Sequence, residues 1–185
     1  MKTGRRPETT QTAKDRPDRV GAGMARWRRE VPDIDCSGKA VVGRVLHLHD
    51  RILREVNRAL APHGLKYPAY AILATLRVEG APFRMSPKAL LDALILTSGG
   101  LSNLLRRLES EGLVRRLSDA KDGRGVIVEL TEAGRARVEP AMRDHAAAER
   151  SLVAGLSARR RDNAGEALAT MIRDADAGRR FRARG

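Results

Sequence analysis

The chain has 185 residues, enough for one compact domain extended by further helices, and its hydrophobic share of 42% is enough for a core that Leu, Val, Ile and Ala must fill, because aromatics reach only 3%. The 36 Lys and Arg outweigh 23 Asp and Glu by +13, which favours an anionic partner such as nucleic acid or an anionic surface. A single cysteine, Cys36, excludes an intramolecular disulfide, and no apolar run approaches the ~20 residues that span a bilayer.

The first residues lack the apolar h-region of a signal peptide, so a cytoplasmic protein without a membrane partner is expected. Residues 1–22 are polar and aperiodic, with Pro7 and Pro17, and read as a disordered basic arm. A short helix is expected from Met24 to Glu30, stopped before Pro32, with the only Trp, Trp27, on it. Residues 38–63 form a long amphipathic helix: Val41, Val45, Leu48, Ile52, Val56 and Leu60 recur at spacings of three and four, and Pro62 and Gly64 close it. His47 and His49 on this helix lie about 200° apart, which no single metal site can bridge. Tyr67 to Arg77 is a second helix with Leu73 and Leu76 inward, broken by Gly80, Ala81 and Pro82. Ser86 and Pro87 start a third, running to about Ile95.

A polar interruption at Thr97–Gly99 leads into TSGGLSNLLRRLESE, ended by Gly112. Leu101, Leu104, Leu105 and Leu108 make one side apolar, while Gly99, Asn103, Arg106 and Ser110 fall opposite, flanked by Ser102 and Arg107. Small residues permit close approach to a nucleic-acid groove, Ser and Asn can read base edges, and Arg reaches bases or phosphates. An ordinary amphipathic helix with a solvated basic face would look similar, so the flanking elements decide. Leu113–Ser118 and the alternating Val126–Leu130 are strand candidates joined by DAKDGRG, a hairpin whose tip carries Lys121, Asp122 and Arg124. Thr131 caps a long helix from Glu132 toward Leu156, with Pro140 expected to bend it, and Ser157 caps a last helix with Leu168, Met171 and Ile172 apolar.

The fold expected is mainly α with a small β-wing: a winged helix-turn-helix with terminal dimerisation helices. The boundaries are 1–22 for the arm, 23–64 for an N-terminal extension and first dimerisation helix, 65–131 for the DNA-binding domain, 132–178 for the C-terminal dimerisation helices and 179–185 for a basic tail. The helix at Thr97–Glu111 would enter a major groove, and the hairpin tip, with Arg124 between two glycines, would lie along the adjacent minor groove.

From Ser86 to Arg135, and most specifically in LLDALILTSGGLSNLLRRLESEGLVRRLSDAKDGRGVIVELTEAGR, the chain resembles the MarR family of bacterial transcriptional regulators. The resemblance implies a homodimer on a pseudo-palindromic operator of double-stranded DNA. It also implies a small phenolic or anionic effector that releases the DNA, and no cofactor. By position it implies DNA contacts from Ser98, Gly99, Ser102, Asn103 and Arg107, with Asp122 and Arg124 as the acid and arginine of the wing. Arg106 joins them from the helical wheel, with Glu109 as an alternative partner for it. Trp27, PDIDCS at 32–37 and VVGR at 41–44 resemble the N-terminal extension of a urate-responsive branch, which implies that Trp27 and Arg44 line an effector pocket. Ala71 and Leu104 stand where that branch tends to have Asp and Arg, which points to a more apolar ligand than urate.

Three other functions have less support. An enzyme would need a nucleophile with a base, a metal cluster or a phosphate loop, and LTSGG lacks the Gly-Lys-Ser/Thr ending of the last. His145 and Glu149, one turn apart, read as a solvated pair rather than a metal site. An architectural DNA-binding protein without a ligand would suit the charge but not the Ser and Asn on the groove face. A redox-responsive regulator would have to use Cys36, whose neighbours Asp33 and Asp35 are negative, the opposite of the electropositive surroundings a reactive thiol needs.

Overall fold

The computed structural model describes residues 17–118 and 125–182, with side chains through Ala177. Among them the chain is mostly helical with one small antiparallel sheet, as expected. It divides into two compact units, one ending at Arg51 and one beginning at Ile52. No described helix is long and apolar enough to cross a membrane.

The first unit is built on helix α1, Arg19–Glu30, and the start of α2, Lys39–Leu60. α1 begins five residues before the expected Met24, and thus inside the stretch 1–22 read as an arm. The cause is Asp18, whose carboxylate accepts the Gly21 N–H at 2.7 Å and caps the helix. Residues 1–16 lie outside the described residues. Pro32 follows the end of α1, and Asp35 turns the chain by accepting the Ser37 N–H and hydroxyl at 2.8 and 3.0 Å. Met24 and Cys36 are buried. α1 and α2 touch closely where a Cβ on Gly43 would stand 3.1 Å from Val20 Cγ1.

In the second unit, α2 buries Val56 and Leu60 and passes into a 3-10 turn, Ala61–His63. Asn57 Oδ1 accepts the Tyr67 N–H at 2.8 Å and so starts α3, Tyr67–Val78, which buries Tyr70, Ile72, Leu73 and Leu76. Strand β1, Arg84–Met85, had no expectation, because two residues are too short to show a period. Ser86 caps α4, Pro87–Ala93. That helix ends two residues before the expected Ile95: Leu94 is extended, Leu94 and Leu96 tuck partly in, and Ile95 is left fully exposed. Thr97 accepts the Gly100 N–H at 3.1 Å and caps α5, Ser98–Ser110. Ser98 and Gly99 are therefore the first residues of this helix rather than part of an interruption.

Strands β2, Val114–Ser118, and β3, Val126–Leu130, pair from Val114↔Leu130 to Ser118↔Val126, and β1 joins the other edge of β3. Val114, Val128 and Leu130 close the core over α3, α4 and α5. Thr131 caps α6, Glu132–Leu152, accepting the Gly134 N–H at 3.0 Å and donating to the Gly112 carbonyl at 2.7 Å. α6 contains Pro140, ends four residues before the expected Leu156, and packs Val138 and Ala141 against the core. α7, Ala158–Arg182, follows Ser157 and carries the helix into the residues read as a basic tail from 179 on.

Among the described residues much of the expected apolar stripe of α2 is exposed. Val41, Val45, Leu48 and Ile52 are exposed, as are Val42 and Leu46, and on α7 so are Leu168, Met171 and Ile172.

Candidate nucleic-acid interface

α5 presents two distinct faces. Leu101, Leu105 and Leu108 are buried and Leu104 is half-buried against the same core. Ser98, Gly99, Ser102, Asn103, Arg106 and Arg107 are exposed. The spacing that buries the leucines forces these six outward, and the Thr97 cap fixes where the helix begins. A Cβ on Gly99 would meet nothing within 4 Å, so its side of the helix is clear of the other described residues.

The cations on this face are tethered. Arg106 donates to Asn103 Oδ1 rather than to Glu109. Asn103 and Arg106 therefore form one hydrogen-bonding group, in which the amide nitrogen of Asn103 and the remaining guanidinium donors have no side-chain partner among the described residues. Arg107 donates through Nε to Glu111 at 2.8 Å, and Glu111 lies 3.6 Å from Arg137 of α6. Glu109 is held by β2: it accepts the Arg116 N–H at 3.3 Å and stands 3.5 Å from the Arg116 Nε. That acid fastens the first strand of the hairpin to the C-terminal half of α5. Sequence reasoning missed Arg116, although its place on an alternating strand two residues after Val114 was a usable signal. Lys121, Asp122 and Arg124 lie outside the described residues. The strands that lead to them, ending at Ser118 and resuming at Val126, are placed.

At the base of the hairpin a row of charges crosses all three strands. Arg84 on β1 and Arg115 on β2 both donate to Glu129 on β3, the former at 3.3 Å. Glu129 is buried, and the hydrogen bond from Arg115 holds its carboxyl below the ordinary value of 4.5 against the opposing effect of burial, with Arg84 adding to the lowering.

The proposed effector residues fall in both units. In the first, Arg44 donates through Nε and Nη2 to Asp18 at 2.8 and 3.2 Å and through Nη1 to the Ala40 carbonyl at 2.5 Å. Trp27 is half-exposed, with the Lys39 ammonium 4.4 Å from its ring centre. In the second, Ala71 is half-buried on α3. Leu104 lines a cavity of about 120 Å³ together with Leu65, Lys66, Pro68, Arg107 and Leu108.

His145 is buried rather than solvated as its spacing suggested. It stacks on Tyr70 with ring centres 4.5 Å apart, its Nδ1 is 3.4 Å from Glu149, and its Nε2 has no protein partner among the described residues. Cys36 is also buried, away from the exposure a redox-sensing thiol needs. No group of three His, Cys, Asp or Glu among the described residues is arranged to hold a metal ion.

The MarR family model matches residues 63–125, from the 3-10 turn to the hairpin. The HTH-type transcriptional regulator PecS of Dickeya dadantii is 32% identical over 134 residues, 72% of this chain and 81% of PecS. The crystal structure of a cysteine-to-serine mutant of MarR from E. coli, complexed with operator DNA, superposes with a TM-score of 0.65 at 26% identity, covering 75% of this chain and 99% of that one. AbsC, a MarR family regulator from Streptomyces coelicolor, gives a TM-score of 0.71 over 78% of this chain and 97% of AbsC; at 24% identity it speaks for the fold. These relatives are transcriptional regulators and not enzymes. With the exposed basic helix, its capped start and the hairpin fastened behind it, they establish that the chain belongs to the MarR family of winged helix, DNA-binding transcriptional regulators.

Proposed function

We propose that the protein is a homodimeric repressor that binds a pseudo-palindromic operator and is released from it by a small phenolic or anionic effector. The observation that carries the DNA half of this reading is the exposed face of α5. Ser98, Gly99, Ser102, Asn103, Arg106 and Arg107 share it, and the leucines behind them hold it rigid. Ser102 and the Asn103–Arg106 pair read base edges, and Arg107 contacts phosphate. Lys121, Asp122 and Arg124 act at the wing. The MarR–operator complex from E. coli supports the assignment of duplex DNA as partner.

Dimerisation is supported by the uncovered apolar residues of α2 and α7, which a second copy would bury. We assign residues 23–64 and 132–178 to that role and 65–131 to DNA. The two recognition helices then sit about one turn apart, ~34 Å, in successive major grooves.

The effector is proposed to act at Trp27 and Arg44, as the resemblance to the urate-responsive branch suggests. Ala71 and Leu104 favour a molecule more apolar than urate, because neither offers a charge to a purine anion. Fluorescence anisotropy with operator and random duplexes at physiological salt tests the reading. A regulator of this kind prefers its operator by ~10³ or more. Asn103→Ala and Ser102→Ala should relax the base preference at particular operator positions by about tenfold, leaving binding to random DNA unchanged. Equal affinity for both duplexes would point to an architectural protein instead.

A further inference from the structure

Asp18 was assigned to no site by the sequence, yet it is the residue that Arg44 holds. The Nε/Nη2 edge of the guanidinium, the edge that binds a planar anion in two-pronged fashion, is taken by the two oxygens of Asp18 at 2.8 and 3.2 Å. The remaining arm reaches the Ala40 carbonyl of its own helix. The same Asp18 Oδ1 accepts the Gly21 N–H and caps α1. One carboxylate therefore satisfies the start of one helix and the cation of the next. The surroundings are tight: a Cβ on Gly21 would stand 3.3 Å from Pro17 Cβ and 3.5 Å from Arg44 Nη2.

We infer that Asp18 is the internal ligand of the Arg44 site: an effector bearing a carboxylate or another planar anionic group binds Arg44 by displacing Asp18, and the displacement uncaps α1. This rests on the reading of Arg44 as an effector residue. Because the oxygen that caps Gly21 is also one of the two that hold Arg44, an anion seated on the Nε/Nη2 edge crowds and repels the capping carboxylate. Both side chains of the pair are about half-exposed, at 41% and 54%, so solvent weakens their attraction and a small anion in excess can compete with it. The guanidinium keeps one anionic partner throughout, and the Asp18 carboxylate it releases passes to solvent. Its structural output is the freed first turn of α1, whose Gly21 N–H loses its acceptor. Binding energy at Arg44 is thereby linked to the order of the segment that carries Trp27.

The test uses the full chain and three variants. Asp18→Ser keeps a capping hydroxyl but cannot grip the guanidinium. Asp18→Asn keeps a capping oxygen without the charge and stands in if the serine variant loses helix by circular dichroism. Arg44→Gln removes the site. Salicylate and urate are the probes, titrated against the fluorescence of Trp27, the chain's only Trp, with amide hydrogen exchange followed over residues 19–24. Without its competitor, Asp18→Ser should bind the better probe about two- to fivefold more tightly than the wild type. Arg44→Gln should lose that binding, and a saturating probe should speed exchange at Gly21 and Ala22 in the wild type but not in Asp18→Ser. If binding needs Arg44 yet is equally tight in Asp18→Ser, and the exchange does not change, the displacement is wrong while the effector site stands. If Arg44→Gln binds as the wild type does, or if neither probe binds any variant, the effector reading falls and takes the displacement with it.

Discussion

Gly134 carries a constraint that its sequence context conceals. In ELTEAGR it sits in the first turn of α6, where it looks like a weak helix residue. A Cβ there would stand 2.1 Å from the Leu113 carbonyl oxygen and 2.7 Å from Leu130 Cδ1. The oxygen is backbone and already accepts the Thr131 N–H at 3.1 Å, so it cannot move aside without breaking the junction of β2, β3 and α6. Gly134→Ala should therefore cost about 2–3 kcal/mol, against the small gain an alanine brings to an open helix position, and urea unfolding should show the midpoint fall at an unchanged slope. The outward-facing residues of α5 were legible for the opposite reason. Ser102 and Asn103 are placed by the helical period alone, and that period is enforced by leucines that have nowhere else to go. Asp18 and Glu109 were not legible in their roles, because each finds its arginine 26 and 7 residues away, a distance that local periodicity does not encode.

Elements with strong local signals were readable, and those defined by partners were not. α3, α5, β2 and β3 follow their apolar periods to within a residue or two. β1 pairs with the edge that β3 offers it, and α1 extends to Arg19 because Asp18 caps it while Val20 meets α2. The three-stranded row Arg84–Glu129–Arg115 shows what β1 adds: it brings a second guanidinium to a buried carboxylate. Arg115 is the main cause of the lowered pKa of Glu129, and the folded value lies below the unfolded one near 4.5. The stabilisation is therefore present above about pH 4.5 and is lost as pH falls through the folded value. Glu129→Gln should lower Tm by about 2–4 °C at pH 7, the scale of one lost charge-assisted hydrogen bond in a chain of this length. The difference between variant and wild type should shrink as the pH is taken well below 4.5, when both side chains are neutral. A difference independent of pH from 7 to 3 would mean that shape rather than charge holds the hairpin base together.

Across the molecule, the pattern of burial separates what one chain completes from what it leaves open. The core around Leu73, Leu76, Leu90, Leu108 and Val128 is closed to solvent, whereas α2 leaves Val41, Val45, Leu48 and Ile52 exposed along one stripe. Four aliphatic residues at spacings of four, three and four are an unfavourable surface for water to hydrate, and their period is that of a helix–helix seam. If a second copy covers the stripe, Leu48→Lys should separate the subunits, because a lysine ammonium cannot be buried in such a seam without a partner. Sedimentation at micromolar concentration should then give a monomer of about 20.3 kDa. Circular dichroism should stay helical, since Leu48 contributes nothing to the closed core. The functional consequence follows from linkage between two half-sites. A dimer binds the second half-operator at the effective concentration set by the first, and a monomer does not, so operator affinity should fall by about 10² or more while affinity for an isolated half-site is kept. A fall of the same size on the half-site would place Leu48 in the DNA-binding lobe itself. No change on either duplex, with a dimer still in solution, would remove the α2 stripe from the interface and leave α7 as the surface to examine.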